Sequence, residues 1–333
     1  MRTTVPSVRT FVFICAFLLA TSNTYSQSIF FGGKNEIGLA LGPSFFLGDL
    51  GGHKGRDISD TRPGGLKHLN LPLTKLSKGL FVATYPNTWL GLRLGINHTV
   101  LEGDDALIPT VDQNDDAWFR KKRNLSFKTS ALEGHLLAEI LPLGFMEEFT
   151  EASLQPYLLA GVGVTKVNPK TLYNGEWIEL KPLMLEGHGM EEFPERKSYS
   201  NIVPSLNVGA GFKYYFGRNK FAGLEVLHRS SKGPGADMID GVSTNYIDPN
   251  LFDKYLSPKQ ADLANALYFR EDELKNQNGS VLRIRPQVGE QRGDGGKEKD
   301  SWFTGIIRFG WVMPDPNSLE SRQAKQMRCP TFY

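Results

Sequence analysis

Residues 90–97, Leu90–Gly91–Leu92–Arg93–Leu94–Gly95–Ile96–Asn97, alternate with a period of two. In an extended chain Leu90, Leu92, Leu94 and Ile96 fall on one face, and Gly91, Arg93, Gly95, Asn97 and Thr99 on the other. The stretch 206–216 repeats the pattern: Leu206, Val208, Ala210, Phe212, Tyr214 and Phe216 oppose Asn207, Gly209, Gly211, Lys213 and Tyr215. Eight segments carry this strand character, over approximately 35–48, 79–87, 88–102, 125–142, 154–167, 202–217, 220–230 and 301–313.

The connections alternate in length. Pro86–Asn87, the acidic link Met146–Glu151 and Gly217–Arg218–Asn219 are short, whereas 49–78, 103–124, 168–201 and 231–300 are long. Short turns at one end and long loops at the other are the layout of an outer-membrane barrel. A sheet crossing a bilayer has no water for its backbone amides, so it must close on itself. The expected fold is therefore all-β, an eight-stranded antiparallel transmembrane β-barrel. An even strand number puts both chain ends with the short turns, taken as periplasmic, and the long loops outside. Eight strands leave room only for side chains, so the barrel is expected to be a plug and not a pore.

By parity Glu36, Glu133, Glu139 and Glu225 point inward, as do Arg93, Lys213, Arg229 and Arg308. Four acids facing four bases suit a closed interior, where an unpaired charge is costly. Strand length and the aromatics Tyr85, Trp89, Tyr214, Tyr215, Phe216, Trp302 and Trp311, read as strand-end belts, favour a membrane barrel over a soluble barrel or sandwich. In the last long loop Ser257 and Pro258 open a predicted helix running from Ala261 to Leu274, its apolar face packed on the loop.

Residues 1–26 read as an export signal: Arg2 and Arg9, an apolar run from Phe11 to Ala20, and Thr24–Tyr25–Ser26 before the cut. The barrel is assigned to 27–313 and a periplasmic tail to 314–333. Of 38 basic and 36 acidic residues, removal of Arg2 and Arg9 leaves 36 of each. That balance excludes a nucleic-acid binder. Loss of Cys15 leaves one cysteine, Cys329, which is either inert or half of an intermolecular disulfide.

Chemistry-bearing motifs are absent. Gly296–Lys297 is followed by Glu298, without the upstream glycine of a phosphate loop, and neither a nucleophile elbow nor a His-Glu-x-x-His helix occurs. No catalytic, cofactor or metal site is assigned. Glu133 and His135 share an inward face, read as a structural pair. The acids Asp104, Asp105, Asp112, Asp115 and Asp116 with Asn114 offer oxygen ligands but lack the glycine and distal glutamate of a calcium loop, and read as solvated loop.

The chain resembles the PorG-like outer-membrane barrels of Bacteroidetes type IX secretion. The resemblance runs through Glu36–Ile37–Gly38 to Leu47–Gly48–Asp49–Leu50, residues 92–97, 123–128, Pro156–Tyr157–Leu158 to Gly163, Asn168–Pro169–Lys170, Glu186–Gly187–His188–Gly189, residues 240–246, Gln291–Arg292–Gly293–Asp294 and Arg328–Cys329–Pro330. It implies a non-enzymatic barrel that links outer-membrane lipid to a periplasmic ring of PorK and PorN, or GldK and GldN, type. Asp49 and residues 240–246 are marks of the resemblance expected to order the long loops. The residues expected to meet the ring are Cys329, Arg328, Pro86, Asn87, Glu147, Glu148 and Glu151. An OmpA-like barrel with a stabilising or loop-recognition role is the alternative.

Overall fold

Alternation along the chain becomes a cylinder in the computed structural model, which describes residues 34–50, 71–108, 116–149, 152–217, 219–270, 273, 286–293 and 299–313. Five strands come first: β1 (Lys34–Leu47), β2 (Lys75–Tyr85), β3 (Leu90–Asp104), β4 (Ser126–Ile140) and β5 (Leu154–Lys166). A small hairpin follows, β6 (Lys170–Tyr173) and β7 (Glu176–Glu179), then β8 (Ile202–Phe216), β9 (Lys220–Ser231) and β10 (Ser301–Met313). Eight of these are staves, each antiparallel to its neighbours in the order β3-β2-β1-β10-β9-β8-β5-β4. A β3–β4 ladder, from Leu90↔Ile140 to Asp104↔Ser126, closes the ring. Closure removes the sheet edges that an open β structure would leave unpaired.

The outer face is apolar on every stave, for example Leu39, Leu80, Leu94, Leu136, Val162, Val208, Val226 and Phe309, all exposed. Leu80 is 62% and Ile96 61% accessible. A soluble monomer rarely shows an apolar patch above a few hundred Å², whereas this belt encircles the molecule. It is a surface for hydrocarbon, and staves of 11 to 15 residues are long enough to cross it. None of the described helices is long and apolar enough to span a membrane.

Lys34 pairs with Tyr85 and Asn35 with Met313, so the barrel begins and ends at the short-turn end. The long connections gather at the other end and build a cap with its own apolar core. Phe127, Val203 and Trp302 from the staves meet Ile239, Val242, Ile247 and Phe252 from the loops there. Three helices contribute: α1 (Asp116–Arg123), α2 (Asn250–Tyr255) and α3 (Pro258–Tyr268). The helix predicted from Ala261 is α3, and it buries Ala261, Ala264, Leu267 and Tyr268 against the cap. The described helix stops at Tyr268, and Leu274 lies outside the described residues.

Two expectations need correction. The connection 168–201 is not loop throughout: it holds the hairpin β6–β7, in which Asn174 (φ 49) and Gly175 (φ +83) form the two-residue turn that Asn-Gly favours. Tyr85, Tyr215 and Trp302 do not belong to a lipid-facing belt. Tyr85 and Trp302 are buried, and Tyr215 hydrogen-bonds inside the barrel. The belt at the short-turn end consists of Trp311 with the edge-packed Tyr214 and Phe216 (5.1 Å), and Trp89 stacks on Phe145 beside it (5.1 Å).

Candidate functional site

The interior positions of the staves carry the eight predicted charges, and the structure brings them together in tiers. Nearest the short turns, Lys213 Nζ lies 3.3 Å from Glu36 and 3.1 Å from Glu139. Tyr215 donates to Glu36 at 2.6 Å, and the Tyr85 hydroxyl sits between Glu36 and Glu139. In the next tier Arg93 meets Glu225 at 2.7 Å and Glu139 at 3.3 Å. Arg308 meets Glu139 at 3.0 Å and lies 4.0 Å over the Phe81 ring. Tyr157 donates to Glu225 at 2.9 Å. Above these, Arg229 contacts Glu133 at 2.7 Å and donates to Thr304 at 2.9 Å, while Asn207 donates to Glu133 at 2.8 Å. His135 stands 3.6 Å from Glu133.

These contacts cross the lumen. Lys213 is on β8, whose ladders run to β5 and β9, yet its partners are on β1 and β4. Arg93 on β3 likewise reaches β9. Small inward residues make the room: a Cβ on Gly91 would lie 2.4 Å from the Tyr85 ring, and one on Gly95 2.4 Å from His135 Nε2. Among the described residues, buried side chains fill the lumen at these tiers.

A second polar assembly, in the cap, joins all four long connections and was not assembled from the sequence. Arg123 donates to Asp105 at 2.7 Å and also to the carbonyls of Asp49 and Arg292. Glu186 pairs with Arg292 at 2.7 Å and accepts from the backbone N–H groups of Ser243 and Thr244, at 3.0 and 2.8 Å. Asp240 accepts from the N–H groups of Asp49 (3.1 Å) and Val242 (2.9 Å). The stretch 240–246 and Asp49, marks without a derived chemistry, thus tie one loop to another. Their partners lie up to 191 positions away in the chain, beyond the reach of any local pattern.

The electrostatics of the cap divide. Burial opposes the charge on Glu186, but Arg292 and the Ser243 and Thr244 amides outweigh it and hold this carboxyl below its ordinary range. Burial, reinforced by Asp49, pushes Asp240 well above the usual carboxylate range. Asp300 is raised in the same way, by burial and by Asp240 and Asp237. Asp105 is buried and taken by Arg123, so it is not a solvated loop acid, whereas Asp104 stays half-exposed and accepts from Ala106 N–H. Residues 112–115 lie outside the described residues, among which no cluster of three or more His, Cys, Asp or Glu is arranged for a metal ion.

The third feature is an open vestibule of about 1010 Å³ at the short-turn end, lined by Pro86, Asn87, Trp89, Gln155, Tyr215 and Val312 among others. Its two flanking turns are tied together. Thr88 donates to the Gly144 carbonyl at 2.8 Å, and Leu141 N–H to the Trp89 carbonyl at 2.8 Å. Of the predicted partner residues, Pro86 and Asn87 line this vestibule, and Glu147 and Glu148 lie exposed in the adjoining turn beside Phe145, Met146 and Phe149. Arg328, Cys329 and Glu151 lie outside the described residues, as do the export signal and the tail.

No protein-family model matches the chain. No curated protein matches it. Among solved structures it is similar to the outer-membrane protein OprG of Pseudomonas aeruginosa, at 12% identity over 85% of this chain and 96% of that one, with a TM-score of 0.35. It is also similar to the N-terminal β-barrel domain of Pseudomonas aeruginosa OprF (11%, 84% and 99%, TM-score 0.30). The attachment invasion locus protein Ail of Yersinia pestis is a third (9%, 84% and 99%, TM-score 0.32). These likenesses say nothing of what the chain does, and the PorG-like resemblance rests on its motifs alone.

Proposed function

We propose that the chain is a non-enzymatic outer-membrane barrel serving as a fixed component of the type IX protein secretion machinery. In this reading the long loops are extracellular, the short turns and residues 314–333 are periplasmic, and the short-turn end anchors the periplasmic ring of PorK/PorN or GldK/GldN type. The observation that carries a fixed role is the filled lumen. Lys213, Arg93 and Arg308 bridge opposite staves and obstruct the lumen, which supports a role carried by the two ends. The vestibule and the exposed Phe145, Met146 and Phe149 give the short-turn end a surface for a partner. Naming that partner as the ring draws on the motif resemblance.

The test is deletion of the chain combined with affinity purification from envelopes. Lost secretion of cargo and recovery of ring subunits with the tagged barrel support the reading. Intact secretion in the deletion strain rejects it. The alternative, an OmpA-like barrel acting through its loops, is favoured by the cap, whose four connections are locked together as a rigid outer surface. Normal secretion together with loss of envelope integrity or surface attachment would select it.

A further inference from the structure

On β4 a side chain is missing from the middle of the apolar belt. Gly134 on β4 lies in register with Ile96 on β3 and Val164 on β5, and its outward position is open: a Cβ there would meet nothing within 4 Å. The gap deepens into a groove of about 530 Å³, walled by Leu94, Ile96, Leu136, Val162, Val164 and Leu206. Strands in a sheet are about 4.8 Å apart, so Ile96 and Val164 stand about 10 Å from each other, the width of one hydrocarbon chain between two side chains.

The loop-side mouth of the groove is basic. Lys232 lines it, and its backbone N–H donates to the Pro204 carbonyl at 2.8 Å. Lys166 is exposed on the outward face of β5 immediately beyond Val164, in register with Leu132 and Ile202. Three lysines nearby are neutralised: Lys75 and Lys128 share Glu102 (3.2 and 3.4 Å), and Lys170 has Glu179 (3.0 Å). Lys166 and Lys232 have no acidic partner among the described residues. Long lysine stems reach from an apolar surface to the polar boundary, which sets two uncompensated ammonium groups over a hydrocarbon slot.

We propose that this groove is a binding site for one anionic, phosphate-bearing lipid. An acyl chain lies along Gly134 between Ile96 and Val164, and the phosphate sits between Lys166 and Lys232. The inference is independent of the secretion reading, since it concerns only the barrel wall.

The probe is phosphatidylglycerol, diluted in phosphatidylcholine nanodiscs holding the full chain, with retained lipid counted by native mass spectrometry after detergent extraction. Wild type is expected to retain one phosphatidylglycerol in preference to phosphatidylcholine. The Lys166→Gln, Lys232→Gln double variant is expected to lose about thirtyfold of that preference. Gly134→Leu is expected to abolish retention of both lipids, because the leucine fills the slot. All these positions face outward, so each variant is expected to keep the heat-modifiable gel migration of a folded barrel. Wild-type retention in both variants overturns the site. So does a wild-type dimer that Gly134→Leu dissociates, because a second copy of the chain then occupies the groove.

Discussion

Lys213 and Glu36 stand 3.3 Å apart although their strands, β8 and β1, share no ladder. The pair is a strut across the cylinder, and Glu139 on β4 makes it three-cornered at 3.1 Å. Backbone ladders hold neighbouring staves at a fixed spacing but leave the cross-section free to flatten. Struts between distant staves remove that freedom, and they fill the space through which water would pass.

The upper tier gives the simplest test of what an interior pair contributes. Arg229→Met leaves Glu133 buried beside Asn207 with its closest cation gone. Removing one partner of a buried pair costs about 3–5 kcal/mol, whereas replacing both by apolar groups is often near neutral. Urea titration in lipid vesicles is expected to show that loss for the single variant and recovery of most of it when Glu133→Leu is added.

Glycines on the two faces of the wall are expected to behave oppositely. Gly95→Val drives a branched side chain into the His135 ring, which a Cβ alone would approach to 2.4 Å. Overpacking of that kind costs about 1–3 kcal/mol. Gly134→Val points into open space and is expected to leave the unfolding midpoint unchanged. The same vesicle titration compares them.

How much of this was legible follows from where each partner sits in the chain. Arg93 and Glu225 could be placed inward because parity along one strand needs only neighbouring residues, and closure then forced them to meet. Parity puts Trp302 on the face of Arg308 and Tyr215 on that of Lys213, so reading them as belts rested on their place at strand ends, where an aromatic suits either face. The Asn174–Gly175 turn was a strong hairpin signal, but its arms of four residues were too short to show alternation. The cap resisted reading altogether. Arg123 finds Asp49 and Arg292 at separations of 74 and 169 residues, and only the folded loops bring them together.

Cutting the cap's ion pair is expected to open the cap and spare the barrel. Glu186→Ala leaves Arg292 buried without its partner and orphans the Ser243 and Thr244 amides. A cost of about 3–5 kcal/mol confined to the loops implies at least a hundredfold faster proteolysis there. Cleavage mapping is expected to find new cuts between 168 and 300, outside the staves, while the barrel remains protease-resistant and heat-modifiable.

The cap also carries a pH dependence of known sign. Asp300 is raised in the fold by burial and by Asp240 and Asp237, so the closed cap binds a proton that the opened cap releases. Stability from such a group is full below the unfolded carboxylate value and falls as pH rises towards the raised folded value. Glu186, held low, works in the opposite direction and only below the ordinary glutamate range. His188, lowered by burial, adds a rising slope near neutrality that both proteins below share. Proteolysis of the cap across pH 5–8 is therefore expected to accelerate with pH more steeply in wild type than in Asp300→Asn, which keeps an acceptor for the Ile239 N–H but cannot ionise.

A nitroxide label walked along β3, from Leu92 to Asn97 in a reconstituted bilayer, tests the closed membrane barrel most directly. Labels at 92, 94 and 96 are expected to show high collision rates with dissolved oxygen and low rates with a water-soluble nickel complex, the signature of hydrocarbon. Labels at 93, 95 and 97 are expected to be immobilised and shielded from both reagents, giving a two-residue oscillation along the strand. Uniform access of the nickel complex to both sets would contradict a lipid-facing wall around a filled lumen.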